Sequence, residues 1–186
     1  MNKLPTVGII GAMLLAGIVV AAPAIDQAIQ YHHPVIKDFG KVVTLPNASQ
    51  QPRPDSKLVV DITKGGKPNE LNGAIEKVAR FVNIYGGAGR KPANVEIAVV
   101  LHGDATLAAL NDTAYKKQFG VTANPSLKCI GQLRKAGVRF YVCGQSLIGK
   151  GGQPNEVAND VSVAVSALTS LANLQADGFA YIPMLK

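Results

Sequence analysis

Cys143 stands where a sequence would place a reactive thiol. It closes the apolar run "VRFYVC" and is followed by Gly144, Gln145 and Ser146, then by Gly149, Gly151 and Gly152. Free backbone N–H groups in such a turn, with a cation nearby, favour thiolate over thiol, and the thiolate is the nucleophile. Two other stretches offer matching chemistry: Lys64 with Gly65 and Gly66 in "TKGGKPN", and His102 with Gly103 and Asp104 in "LHGDAT". Cys143 is therefore read as the catalytic nucleophile, with His102 and Lys64 as its helpers. Gly65, Gly66, Gly103, Asp104, Gly144, Gln145 and Ser146 are read as the ligand-binding loop residues. Against this stands a plainer account, in which charged residues decorate loops, glycines turn the chain and a lone cysteine is packing.

These residues can cooperate only if the fold gathers them. "KLVVDI", "VEIAVVL", "VRFYVC", "VSVAV" and "FAYIPM" read as five strands. Between them lie helical patterns. The first, with Leu71, Ala74, Ile75, Val78, Val82 and Tyr85 in register, takes Asn69 as N-cap and Glu70 in its first turn, and Gly86, Gly87 and Gly89 end it. The others cover Asn111 to Phe119, Asn124-Pro125 to Ala136, and Ser166 to Asp177. Strands alternating with helices give βαβ units, a mainly parallel sheet and a three-layer α/β/α sandwich. In such a sheet, ligands collect at the carboxyl ends of the strands. Lys64, His102 and Cys143 each follow a strand, so the topology puts all three on one edge.

The other cysteine, Cys129, shares a helix face with Ile130 and Leu133 and reads as core. Helix and sheet layers stand about 10 Å apart, against a Cα separation below about 7 Å for a disulfide, so a bridge to Cys143 is disfavoured.

The N-terminal stretch sets the compartment. Lys3 precedes the uncharged run Leu4 to Ile25, which ends near Ala22-Pro23-Ala24. That is the anatomy of a secretory signal, and its length also suits a membrane anchor; the A-x-A-like site favours the signal. Residues 1–24 are thus a signal peptide or N-terminal anchor, and the rest is expected outside the cytoplasm, periplasmic or equivalent. Residues 25–56, with Pro34, Pro46, Pro52 and Pro54, read as a polar linker or loosely packed arm. "GKVVTL" could add an edge strand before Pro46 stops it. His32 and His33 lack ligand-like partners, so no metal is expected there.

The chain carries a formal net charge of +7. Its cations are scattered without interleaved aromatics, which argues against nucleic acid as a partner. Neither glycine loop fits G-x-x-x-x-G-K-[ST], and no G-x-G-x-x-G opens a helix, so a nucleotide site is disfavoured and no cofactor is expected.

Taken together, "DITKGGKPNELNGAIEKVARFVNIYGGAG", "IAVVLHGDAT", "LRKAGVRFYVCGQSL" and "SALTSLANLQADGFAYIPM" resemble the DsrE/DsrF-like family in its exported single-domain branch, over about residues 57–184. The resemblance implies a flavodoxin-like fold of about five mainly parallel strands and assembly into trimers or hexamers. It also implies sulfur relay as a persulfide on Cys143, with a sulfur-donor or acceptor protein or small sulfur species as partner. Some relatives read Cys-Gly-x-Cys where this chain has Ser146, which removes an intramolecular dithiol. Lys150-Gly151 stands where the pattern often has Arg-Gly, keeping a cation without its bidentate fork. The alternative function is a non-catalytic oligomeric module that binds a small ligand or partner at the same edge.

Overall fold

The computed structural model describes residues 29–88 and 94–184. The segment read as signal or anchor lies outside the described residues, as does Gly89. The five β-rich runs form strands β1 (Ser56–Ile62), β2 (Val95–Leu101), β3 (Arg139–Cys143), β4 (Ser162–Ala164) and β5 (Ala180–Met184). Their order is β4-β3-β2-β1-β5, and every neighbouring pair is parallel. Both central strands are buried along their last five residues, as continuous apolar runs covered on both faces must be. Edge strands β4 and β5 keep side chains in water, and β5 tolerates Pro183 because an edge has an unpaired side.

Among the described residues five α-helices accompany the sheet: α1 (Gly73–Gly87), α2 (Asp112–Phe119), α3 (Leu127–Lys135), α4 (Gly144–Gly149) and α5 (Ala167–Ala176). Side chains alternate along each strand, so the sheet feeds two cores. Leu58, Val60, Ile97, Val99 and Phe140 pack with α1 and α3. Val59, Ala98, Val100 and Cys143 pack with Ala167 and Leu174 of α5. The result is the expected three-layer, flavodoxin-like α/β/α sandwich, driven by burial worth about 1.5–3 kcal/mol per large apolar side chain.

Three local expectations change. The N-cap of α1 is Asn72 rather than Asn69: its Oδ1 accepts from the N–H groups of Ala74 and Ile75, while its Nδ2 donates to Lys64 O. Asn72 wins because it is buried and tied to the loop on both sides, whereas Asn69 is exposed. Glu70 consequently precedes the helix, and Glu76 is the acid in its first turn.

The glycine-rich stretch after Cys143 is helix α4, not a loop. Gly144 serves close packing: a Cβ there would lie 2.9 Å from Ala164 O on β4. Positive φ at Gly151, +84°, marks the actual turn.

Part of the Pro-rich arm packs against the domain. Ile36 and Val42 are buried, and Asn83 of α1, fully buried, holds the arm's backbone. Its Oδ1 accepts from Val35 and Ile36 N–H at 2.9 and 2.7 Å, and its Nδ2 donates to the carbonyls of Ile36, Phe39 and Gly40. "GKVVTL" does not join the sheet; Val42 forms only an isolated antiparallel bridge with His32. His32 Nε2 lies 3.2 Å from Thr44 Oγ1. Among the described residues no group of three His, Cys, Asp or Glu side chains could hold a metal ion.

Candidate functional site

Cys143 ends β3 and is the N-cap of α4, with φ −67° and ψ 112°. The strand delivers its sulfur to the α5 face, 5% exposed, and the helix turns its first N–H groups back onto it. Sγ accepts from Ser146 N–H at 3.4 Å. Burial pushes the thiol pKa up, but the Ser146 hydroxyl and the backbone N–H groups of Ser146, Ala167 and Gln145 outweigh it, and the net shift is downward. Ala167 is the first residue of α5, so two helix starts face one sulfur. Ser146 is itself held: its Oγ lies 3.4 Å from Gly103 N–H, the donor. Ser146 thus steadies the Cys143 sulfur while being fixed by the loop after β2.

His102 follows β2 directly. The β2–β3 register runs to Leu101 opposite Val142, so His102 stands level with Cys143 on the neighbouring strand and on the same sheet face, roughly 5 Å away between strand axes. Its ring is turned onto β1, with Nε2 2.7 Å from Asp61 Oδ1. Asp61 is buried, its side chain 6% exposed. Its second oxygen accepts from Tyr181 Oη at 2.6 Å, a bond that pushes the Tyr181 phenol upward in pKa.

The remaining expected residues divide. Gly103 needs its glycine, with φ +54° and a hypothetical Cβ 3.0 Å from Thr63 O. Gln145 contributes its N–H to the sulfur and its side-chain amide to Val165 O at 3.4 Å. Asp104 pairs with Lys150, the cation of the Lys-Gly pair. Lys64, Gly65, Gly66 and Asp104 line a cavity of about 330 Å³ beside Asn72, Tyr115 and Ser126, to which Cys143 and His102 do not contribute. Lys64 is exposed there, and among the described residues neither a hydrogen bond nor an ion pair joins its side chain to Cys143 or His102.

Cys129 lies in the opposite core, under α1 and α3. Both cysteines are free thiols, separated by the sheet itself. Sequence reasoning missed Asp61 and Tyr181. The available signal was a carboxylate inside "KLVVDI", a run that otherwise reads as buried on both faces, where a charge needs a partner.

The structure is similar to that of a protein of unknown function, MTH1491, from Methanobacterium thermoautotrophicum. The TM-score is 0.51 at 22% identity, over 69% of this chain and 99% of that one. That likeness concerns the fold. No curated protein matches significantly. The model of the DsrE/DsrF-like family matches residues 57–184, spanning β1 through β5 and the Cys143 and His102 loops, and on that match the chain belongs to the DsrE/DsrF-like family.

Proposed function

We propose that the protein is a sulfur-relay protein that carries a persulfide on Cys143. Membership of the family gives the sulfur-related context, and the observation that carries the finer reading is the sulfur's setting, where the Ser146 hydroxyl and three backbone N–H groups lower the thiol's pKa. The step is an exchange without net redox change. The Cys143 proton passes to His102, and the thiolate attacks the terminal sulfur of a donor R–S–SH. The new S–S bond forms as the donor's own S–S bond breaks, and R–S⁻ leaves with the proton from His102 as R–SH. The product is Cys143–S–SH. Ser146 cannot resolve this as a disulfide, so the sulfur stays until an acceptor thiol takes it.

The partner is a donor or acceptor protein or a small sulfur species. The location is extracytoplasmic, in line with the signal or anchor read from residues 1–24. A homo-oligomer is part of the reading: Ile148, Val163, Val165 and Leu168 are exposed apolar side chains around the site, Leu168 at 81%. Intact mass after incubation with a sulfane-sulfur donor should show one added sulfur, abolished by Cys143→Ser. No adduct from either a persulfidated protein or a polysulfide would overturn the reading. N-terminal sequencing of exported protein should find a start near Ile25, or else full mass in the membrane fraction.

A further inference from the structure

Four adjacent strands, in the order β3, β2, β1 and β5, place Cys143, His102, Asp61 and Tyr181 in a single polar row on the α5 face of the sheet. We propose that Asp61 and Tyr181 are positioning residues that fix the tautomer and orientation of His102, so that His102 exchanges a proton with Cys143. This rests on the reading of Cys143 as the working thiol. Placement in a row is expected of side chains with the parity of Val59, Val100 and Tyr141; three hydrogen-bonding groups in succession on that face are not, because the same face otherwise feeds an apolar core.

The chemistry of the row decides the tautomer. Asp61 is a carboxylate with one oxygen receiving the Tyr181 hydroxyl, so its other oxygen is an acceptor and His102 Nε2 must carry the hydrogen between them. In the neutral ring Nδ1 is then left as the base. Tyr181 does for Asp61 what Asp61 does for His102: it holds the acceptor in place from the edge strand. Among the described residues His102 makes no hydrogen bond to Cys143 in this state, and such contacts commonly tighten only when substrate is bound.

The titratable groups around His102 are Asp61 on β1, Tyr181 on β5, and Tyr141 and Cys143 on β3. Asp104 lies in the 3₁₀ helix Gly103–Ala109 and Lys150 and Lys64 in the loops beyond the sheet edge, and α5 contributes only Asp177 past its far end. Asp104 and Lys150 neutralise each other.

The test reads His102 and Cys143 separately, with no sulfur donor present. Ring ¹⁵N shifts of the full exported protein should report the Nε2–H tautomer. Asp61→Asn, whose amide can donate to Nε2, should switch the ring toward Nδ1–H and slow iodoacetamide labelling of Cys143 at neutral pH by at least about tenfold. Tyr181→Phe should slow it by about threefold with the tautomer kept. Mixed Cys143 with an acid-base coupled His102 should also give a pH–rate profile that loses one inflection in His102→Gln. A folded Asp61→Asn protein with unchanged tautomer and profile overturns the proposal. If Asp61→Asn does not fold, an unchanged profile in His102→Gln overturns it just as well. Should coupling be present while no donor ever loads Cys143, the sulfur reading falls and the row stands.

Discussion

Two cysteines, both buried, sit on opposite faces of one sheet and are made into different chemical species. Cys129 lies under α1 and α3, where burial and then the Glu76 carboxylate push its thiol up to about 12. Cys143 lies under α5, where burial acts the same way and is overcome by the Ser146 hydroxyl and three N–H groups. Burial therefore does not decide reactivity here. Donors to the sulfur do: Cys143 caps a helix whose Ser146 N–H turns back onto it, whereas burial and the Glu76 carboxylate are what act on Cys129 in the first turn of α3.

The contrast can be broken most sharply by labelling. In native protein at pH 7, iodoacetamide should modify Cys143 at least about a thousandfold faster than Cys129, because so little of a thiol near 12 is ionised. Peptide mapping by mass spectrometry gives the ratio, and comparable rates would remove the distinction. Next in size is Gly144→Ala, which drives a Cβ against Ala164 O and should cost about 1–3 kcal/mol in urea unfolding. The same variant should slow Cys143 labelling, since α4 must shift. A cost within experimental error would show that β4 yields freely.

Ser146→Ala sharpens the comparison from the reactive side. It removes the hydroxyl that holds the Cys143 thiol down, so the inflection in its labelling rate should move to higher pH and the neutral rate should fall a few-fold. The smallest effect concerns stability at alkaline pH. A thiol raised in the folded state stabilises fully below its unfolded value and loses that contribution as pH climbs from there toward about 12; a lowered thiol contributes above its unfolded value and loses it as pH falls. Urea midpoints from pH 8 to 11 should accordingly fall less steeply in Cys129→Ala than in the parent, and more steeply in Cys143→Ser. Parallel slopes in all three proteins would mean that the two thiols do not differ in this way.

The sheet, its helices and the placement of Cys143 beside His102 were legible because each rests on periodicity and on the rule that parallel strands share a carboxyl edge. Three things were not. Helix α4 was hidden because Gly144, Gly149, Gly151 and Gly152 read as freedom, when Gly144 is there for contact with β4. The separation of Lys64 from Cys143 depends on which way the β1–α1 loop turns, and that is set by Asn72, a long-range anchor rather than a local signal. The docked arm was hidden because its evidence is divided: Ile36 and Val42 are isolated apolar residues in a Pro-rich stretch, and their partner Asn83 sits nearly fifty residues on, inside a helix.

The clamp at Asn83 also fixes an orientation. Helix α1 starts at the carboxyl edge of the sheet and ends at the other, and the arm's first described residues meet its end, where His32 lies against Gly87. The thiol opens at the carboxyl edge, about 20 Å away along a seven-residue strand. The arm's first described residues therefore lie on the side of the domain remote from Cys143. A surface to which this chain was fastened through that stretch would have the sulfur pointing outward, free to meet a soluble partner without the fastening being released.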